Sequence, residues 1–372
     1  MPISLTPHYT YSDLTIVPAI KSQISSRTEC IPIYDDGMLP IWAAPMTPII
    51  DSYNSNYFNR CGIRTIIPRS KNLGKQMTSI KNKEWTALSL NQFKELFVDS
   101  YTFPEGANIC IDIANGHMKQ LYDTINEAFR KYDYKNLNLM TGNIANPDTY
   151  RWICENFSDQ IKYVRVGIGS GSGCLTASNT GVHFPMASLI DECRQIKREF
   201  TKTPAIIADG GIRGYADVIK ALALGADYVM IGGLFAEIFE SAGQIGQTEH
   251  LTMQGDLYRY QMDDKTVSFF TSISAPVESI KRQIVEREHL VRKFYGMSTK
   301  YAQAIINGEE SRTSEGKMFE VEIKYTLRQW VENMKDYLKS AMSYCDALNL
   351  KEFIGEQGLV INSPGAISAV NK

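Results

Sequence analysis

Short apolar runs recur along the chain, and longer amphipathic segments separate them. The runs lack the strict apolar–polar alternation of a strand with one wet face, so they are typical of strands buried on both faces of a parallel sheet. Eight runs are predicted as strands: Leu39–Met46, Ile63–Arg69, Trp85–Leu90, Asn108–Ala114, Leu137–Gly142, Tyr163–Ile168, Ala205–Asp209 and Tyr228–Gly232.

Several segments between these runs have helical length and an apolar face. The clearest are Lys119–Tyr132, Pro147–Asn156, Met186–Phe200 and Gly214–Leu224. Strands alternating with helices eight times predict an α/β fold of the (β/α)8 TIM-barrel type. A doubly wound open sheet is the alternative, but it usually has about five or six strands, so eight runs favour closure.

The chain has no linker-like block that would divide it into domains. Barrels of this type often exceed about 250 residues as one domain, so we expect residues 1–350 to form a single barrel. Residues 235–295 are rich in turn formers, aromatic and charged residues, which predicts an excursion inserted at the barrel rim. Residues 351–372 end in small and polar residues and are expected to be a partly mobile tail.

Charge and cysteine usage narrow the function classes. The 372 residues include 39 Lys and Arg against 41 Asp and Glu. Basic residues are therefore not in excess, and nucleic acid is not predicted as a partner. The sequence has no apolar stretch of about 18 residues that could span a membrane, and no secretory signal is visible. The seven cysteines form no CxxC pair, which disfavours a zinc site or redox dithiol and suggests free thiols in the cytoplasm.

Most predicted strands end in residues able to bind ligands or do chemistry. Asp112 to Gly116 follow the fourth run, Asp209-Gly210-Gly211 the seventh, and Gly232-Gly233 the eighth. In a barrel these ends meet at one rim, where active sites lie. Termination of strands by Gly and Asn is the simpler explanation for any one of them, but the recurrence favours a site.

The most informative stretch is the glycine-rich loop Gly167–Thr176, with the sequence GIGSGSGCLT. Its spacing matches neither the GxGxxG of dinucleotide folds nor a P-loop. Backbone N–H groups, hydroxyls and one thiol suit a phosphate or a cation held by main-chain groups, with a nucleophile alongside. The alternative is that Cys174 is simply a small buried apolar residue.

Two further glycine pairs predict a phosphate site. The last strand ends of a barrel commonly bind phosphate, and Gly232-Gly233 ends the last predicted strand. Asp209 is then placed to accept hydrogen bonds from a ribose diol, or else it caps the following helix. No HExxH, GxSxG or histidine cluster is present, so neither a metal hydrolase nor a serine triad is supported.

With these motifs in their order, the chain resembles the IMP dehydrogenase/GMP reductase family. The strings carrying the resemblance are GIGSGSGCLT, TGV from Thr180, and ADGGIRGYADVIKALALGADYVMIGG. The family fold is a (β/α)8 barrel. About 40 residues separate Arg69 from Asn108, which leaves no room for the regulatory modules of the dehydrogenases.

Within the family, the reductase branch fits best. The strings DIANG, FYGMS and SEGK resemble GMP reductase, and the fifteen residues between Ser298 and Ser314 lack the Arg-Tyr pair of dehydrogenases. The resemblance implies NADPH-dependent conversion of GMP to IMP and ammonia. Alternatives are an IMP dehydrogenase, which oxidises IMP with NAD+, and a catalytically silent barrel that binds purine nucleotides.

The resemblance also implies residue roles. Cys174 attacks purine C2 to form a covalent thioimidate intermediate, while Glu315 with Thr176 protonates the leaving amino group. The substrate-binding residues implied are Ser172, Asp209, Gly211, Gly232, Gly233, Met297, Ser298, Arg312, Ser314 and Gly316. The cofactor-binding residues implied are Arg69, Asp112, Asn115 and Gly116. Potassium is expected on the carbonyls of Gly167, Gly169 and Cys174, and the family resemblance implies a homotetramer.

Overall fold

A computed structural model describes residues 7–99, 106–131, 137–247, 290–307 and 316–370. The strands are β1 (Leu14–Ile16), β2 (Ile41–Ala43), β3 (Thr86–Leu88), β4 (Asn108–Ile111), β5 (Asn138–Ile144), β6 (Ile161–Val166), β7 (Ala205–Asp209), β8 (Tyr228–Ile231), β9 (Ile245–Gln247), β10 (Leu290–Tyr295), β11 (Met318–Glu322) and β12 (Leu359–Ile361). The α-helices are α1 (Ser55–Arg60), α2 (Leu73–Lys81), α3 (Leu90–Lys94), α4 (Lys119–Lys131), α5 (Pro147–Phe157), α6 (Thr176–Thr180), α7 (Met186–Lys197), α8 (Tyr215–Leu224), α9 (Lys300–Asn307), α10 (Leu327–Tyr344), α11 (Leu350–Phe353) and α12 (Pro364–Val370).

The centre of the molecule is a curled parallel sheet of seven strands in the order β2-β8-β7-β6-β5-β4-β3. Seven of the eight predicted runs supply these strands, and helices lie between most consecutive ones. The α/β prediction is therefore confirmed. Because all seven strands are parallel, their carboxyl ends lie at the same end of the sheet, where the candidate site is found.

The remaining predicted run, residues 63–69, is not a regular strand, and this part of the prediction is wrong. It makes single parallel bridges instead, from Arg64 to Trp42 on β2 and from Ile67 to Thr86 on β3. The segment changes its hydrogen-bonding partner after one bridge, so neither pairing is long enough to form a ladder. The two edges of the seven-stranded sheet are nevertheless linked through this segment.

Both faces of the sheet are covered, which explains the uninterrupted apolar runs. One apolar cluster fills the concave side: Trp42, Ala44, Ile66, Ala87, Cys110, Met140, Ile207 and Met230. The ring of Trp42 meets those of Trp85 and Tyr163 edge-on, with centroids 5.4 and 5.8 Å apart. A much larger cluster lies between the strands and the surrounding helices.

The predicted excursion 235–295 contributes to a second, antiparallel sheet in the order β11-β10-β9. Residues 248–289 lie outside the described part of the chain. Strand β10, at the end of the excursion, buries Phe294 in the main core. The excursion is thus anchored to the central fold at its carboxyl end, whereas the predicted domain boundaries stay a prediction.

The tail carries regular structure that its composition does not predict. Strand β12 pairs antiparallel with β1, with Leu14 opposite Ile361 and Ile16 opposite Leu359, and α12 follows it. The pairing depends on a partner almost a whole chain length away, so the local pattern could not reveal it. Among the described helices, none is both long and apolar enough to cross a membrane.

Arg292 on β10 binds the turn that follows β8. The side chain is fully buried, and it donates hydrogen bonds to five backbone carbonyl groups: Ala236, Ile238, Phe239, Ser241 and Gly243. A buried carbonyl without a donor is costly. Arg292 therefore holds the turn after Gly233 against the second sheet.

We expect Arg292→Met to lower the free energy of unfolding by about 3 kcal/mol or more, because several buried carbonyls lose their donor together. Urea unfolding followed by tryptophan fluorescence measures the change. Lys293→Met is the matched control: its ammonium lies over the Tyr301 ring at 4.7 Å, and its loss should cost under about 1 kcal/mol. Equal losses in the two variants would contradict the anchoring role.

Candidate active site

A cavity of about 150 Å³ opens at the carboxyl ends of the central strands. It is bounded by the glycine-rich loop after β6, by the ends of β2, β7 and β8, and by residues that follow β10. Eight residues predicted from the sequence line it: Ser172, Cys174, Asp209, Gly211, Gly232, Gly233, Met297 and Ser298. The structure thus brings together residues from four distant parts of the chain.

The thiol of Cys174 lines this cavity and is half-buried. Its Sγ lies 3.3 Å from the hydroxyl oxygen of Thr176, at the first residue of α6. The Cys174 N–H donates to the Gly171 carbonyl at 3.0 Å, which closes a tight turn in the loop. Cys174 therefore presents its sulfur to the cavity beside a hydroxyl group, unlike the fully buried Cys110 and Cys193.

The loop of Cys174 packs directly on the chain that follows β10. A Cβ placed on Gly296 would lie 2.2 Å from the Gly173 carbonyl oxygen, so the two backbones touch where only glycine fits. Gly316 forms an antiparallel bridge with Cys174, and the Lys317 N–H donates to the Gly173 carbonyl at 2.9 Å. Two separate segments, at Gly296 and at Gly316–Lys317, therefore hold the backbone that carries the thiol.

The Gly232-Gly233 turn faces the same loop. A Cβ on Gly233 would lie 2.4 Å from the Ser172 hydroxyl oxygen, and one on Gly232 would lie 2.8 Å from the sulfur of Met46. The lack of side chains leaves backbone groups and the Ser172 hydroxyl beside the cavity. Such a surface suits a phosphate group, which main-chain N–H groups can hold without a basic side chain.

Asp209 belongs to a buried ionic cluster that the sequence analysis did not predict. Arg165 on β6 donates to Asp209 Oδ2 from Nε at 3.0 Å and from Nη2 at 2.8 Å, and to Asp112 Oδ1 from Nη1 at 2.6 Å. Asn143 adds a bond from Nδ2 to Asp209 Oδ2 at 2.7 Å. One carboxylate oxygen of Asp209 is thus fully used, while the residue still lines the cavity.

The charges of this cluster depend on one another. Burial raises the pKa of Asp112, but the opposite charges of Arg165 and Arg69 outweigh it, so the pKa lies below its usual range. Burial likewise opposes the charge on Arg165, and Asp209 with Asp112 overcomes it and raises the pKa. Arg165 therefore stabilises the ionised form of Asp112 at the rim.

The four predicted cofactor residues divide into a buried pair and a loop. Arg69 Nε lies 3.1 Å from Asp112 Oδ2, and both side chains are largely buried. Asn115 is exposed in the loop after β4, where its side chain accepts a hydrogen bond from the His117 N–H at 3.1 Å. The Gly116 N–H donates to the Asn143 carbonyl at 2.8 Å, which joins this loop to the ionic cluster.

The predicted potassium ligands lie in the glycine-rich loop after β6, and their role stays a prediction. Gly167 and Gly169 adopt positive φ angles of 127° and 77°. The Gly167 carbonyl accepts a hydrogen bond from Asn143 Nδ2 at 2.8 Å, which leaves one of its two lone pairs for a cation. Within the described ranges, no group of three or more His, Cys, Asp or Glu side chains could hold a metal ion.

Three predicted site residues, Arg312, Ser314 and Glu315, lie outside the described part of the chain. Gly316, directly after Glu315 in the sequence, is paired with Cys174. The sequence analysis also assigned no role to Met46 or Phe294, which line the cavity. Neither has a motif of its own, because each is one apolar residue among many.

We expect Arg165→Met to destabilise the fold most near pH 7, because Asp112 and Asp209 lose their shared guanidinium. The lowered pKa of Asp112 contributes stability that is present above its unfolded-state pKa, about 4, and is lost as pH falls through the lower folded-state value. The melting-temperature gap between wild type and variant should therefore shrink below pH 4. A gap independent of pH would contradict the ionic role.

We expect Gly296→Ala to abolish ligand binding in the Cys174 cavity, because the added methyl displaces the Gly173 carbonyl and the loop that carries the thiol. Gly214→Ala is the control, since a Cβ there meets nothing within 4 Å. The rate of iodoacetamide labelling of Cys174, followed by peptide mass spectrometry, should differ from the wild-type rate in Gly296→Ala and should equal it in Gly214→Ala. The same labelling rate in both variants would contradict the close-packing argument.

Comparison with known proteins shows the family of the chain. A family model described as the IMP dehydrogenase / GMP reductase domain matches residues 104–369. GMP reductase 2 of Mus musculus is 28% identical over 262 residues, which are 70% of this chain and 62% of that protein. GMP reductase of Onchocerca volvulus is 30% identical over 251 residues, 67% of this chain and 57% of that protein.

A dehydrogenase is similar to the same degree. Inosine-5'-monophosphate dehydrogenase of Chlorobaculum parvum is 31% identical over 244 residues, 66% of this chain and 43% of that protein. The matches span less than two thirds of the length of these curated relatives. Since the family model covers well over half of the sequence, the chain belongs to the IMP dehydrogenase / GMP reductase family.

Proposed function

We propose that the protein is a GMP reductase, which converts GMP and NADPH into IMP, ammonia and NADP+. The observation that carries this proposal is the half-buried thiol of Cys174, 3.3 Å from the Thr176 hydroxyl, in one cavity with Asp209 and Gly233. The similarity to GMP reductases of mouse and Onchocerca volvulus supports the choice of reaction.

GMP is proposed to bind with its phosphate at the glycine turns and its base beside Cys174. Ser172, Gly211, Gly232 and Gly233 contact the phosphate, and Asp209 binds the ribose through the carboxylate oxygen that Arg165 leaves free. The base lies against Met297, Ser298 and Gly316, with Arg312 and Ser314 completing the pocket. The sheet around this site is proposed to be a closed (β/α)8 barrel, a proposal supported by the bridges of residues 64 and 67 to both sheet edges.

The chemistry begins with the Cys174 thiolate, which attacks C2 of the guanine. The C2–N bond then breaks, and Glu315 with Thr176 supplies the proton that lets the amino group leave as ammonia. The product of this step is a covalent thioimidate between Cys174 and the purine. Transfer of a hydride to C2 then breaks the C–S bond, which releases IMP and the thiolate, so that one hydride and one proton are consumed overall.

NADPH supplies that hydride when bound, and Arg69, Asp112, Asn115 and Gly116 are proposed to hold it. The fit rests on Arg69: its Nε is ion-paired with Asp112 Oδ2 at 3.1 Å but lacks hydrogen-bond geometry, so the guanidinium keeps donors for a polar group of the cofactor. The carbonyls of Gly167, Gly169 and Cys174 are proposed to bind potassium. We also propose a homotetramer that works in the cytoplasm.

The direct test mixes the purified protein with GMP and NADPH and follows absorbance at the wavelength of the reduced cofactor. NADPH loss that depends on GMP is expected, and Cys174→Ala should reduce it to background. Cys345→Ala is the matched control, because this half-buried thiol lies on no part of the cavity. Glu315→Gln should slow turnover by about 10²-fold or more if Glu315 is the acid.

Two outcomes would overturn the proposal. Formation of NADH from IMP and NAD+ would make the protein a dehydrogenase, the alternative favoured by its 31% identity to the enzyme of Chlorobaculum parvum. A rise in melting temperature with GMP, without turnover in either direction, would indicate a silent nucleotide-binding barrel. Full activity of Cys174→Ala would exclude the covalent mechanism in either case.

A further inference from the structure

A second and larger cavity, of about 690 Å³, lies at the opposite end of the central sheet. Its walls come from residues 33–35, which include Asp35, from the last turn of α7 and the residue after it, from the turn between α8 and β8, and from α11 with its neighbours. The wall residues of α7 and of the α8–β8 turn precede β7 and β8, whereas the Cys174 cavity lies at the carboxyl ends of these strands. A ligand bound here would not compete with one bound beside Cys174.

Arg194 is the central cation of this cavity. Its side chain is only 20% exposed, yet the nearest carboxylate oxygen in the described part of the chain, on Glu356, is 3.7 Å away. The same Glu356 oxygen is bound at 2.5 Å by Arg198. Lys197, by contrast, is satisfied by both oxygens of Asp227, at 2.5 and 2.6 Å. Two guanidinium groups therefore share one carboxylate, and Arg194 has the weaker contact.

The position of Arg194 is fixed by close packing against two glycines. A Cβ on Gly225 would lie 2.3 Å from its Cδ, and a Cβ on Gly355 would lie 2.5 Å from its Nε. Both glycines have positive φ angles, 115° and 70°. The guanidinium is thus held in place, and an ordered fork loses little conformational freedom when it binds an anion.

Compensation of the helix dipole is the simpler explanation for the cations, because Arg194 and Lys197 lie in the last turn of α7. Dipole compensation does not explain why Arg194 has a weaker carboxylate contact than Arg198 and Lys197. Burial and the neighbouring charge of Arg198 lower the pKa of Arg194, despite Glu356 and Asp191. Burial first, and the charge of Arg198 second, therefore disfavour the cation at Arg194, and a bound anion would offset both.

We propose that this cavity binds a phosphate-bearing anion at Arg194, Arg198 and Lys351. Arg and phosphate form bidentate, charge-assisted hydrogen bonds. Lys351 is exposed on the rim of the cavity. Ile33, Leu350 and Ile354 give part of the wall an apolar surface, which suits the carbon skeleton of an organic phosphate. The volume falls in the range of small-molecule sites, about 300–1,000 Å³.

Equilibrium dialysis of the full chain against radiolabelled ATP, and separately against radiolabelled inorganic phosphate, tests this site. Probe bound in the Cys174 cavity should be the same in wild type and in the variants below, so the difference between them reports binding at the second cavity. Binding that saturates and weakens with salt is expected for at least one probe. Arg194→Gln should weaken it by about 10-fold or more, and Lys351→Glu, an exposed change that leaves the fold intact, should weaken it by about 3-fold or more.

Arg27→Gln is the matched control, because Arg27 is exposed, pairs with Asp336 at 3.6 Å and lies outside the cavity. The Arg27→Gln variant should bind both probes with the affinity of wild type. Tighter binding of ATP than of phosphate identifies an organic phosphate as the ligand, and equal binding identifies the free anion. No saturable binding of either probe, or equal binding to wild type, Arg194→Gln and Lys351→Glu, would overturn the site. Failure of GMP-dependent NADPH oxidation would leave this comparison of variants unaffected.

Discussion

The candidate active site depends on one guanidinium group placed between two buried carboxylates. Arg165 points from β6 toward Asp209 at the end of β7 and toward Asp112 just beyond β4. A carboxylate taken out of water costs several kcal/mol unless a partner with good geometry compensates it. Because the fork of an arginine has fixed directions, the same bonds that offset this cost also fix the spacing of the two carboxylates. The catalytic rim is therefore shaped by an ion cluster and not by packing alone.

This cluster links the two halves of the proposed reaction site. Asp209 lines the cavity of Cys174, while Asp112 contacts Arg69 among the residues proposed for the cofactor. Asn143 extends the link, since its side-chain amide bonds both Asp209 and the Gly167 carbonyl at the start of the glycine-rich loop. A change at any member therefore shifts the position of the others. Substrate and cofactor residues have one common support.

The sequence predicted the parts of this molecule that have local signals. Continuous apolar runs identified seven strands, because strands buried on both faces of a parallel sheet are apolar along most of their length. The glycine-rich loop drew attention to Cys174 because its motif is also a local signal. Arg165 was missed because it interrupts an apolar strand, and its partners Asp112 and Asp209 lie 53 and 44 residues away. Arg292 was missed likewise, and residues 63–69 failed as a strand because their partners change within four residues.

The two cavities achieve affinity for anions in different ways, and Asp209 explains the difference. Among the described residues that line the Cys174 cavity, Asp209 carries the one formal charge and no Lys or Arg is present. Asp209 is already paired with Arg165 through one oxygen, and glycine backbones and the Ser172 hydroxyl are left to hold a phosphate. At the amino ends of the strands no carboxylate has to remain free, and arginines can bind an anion directly. The net charge of −2 for the whole chain is thus compatible with two anion sites, because each depends on local geometry.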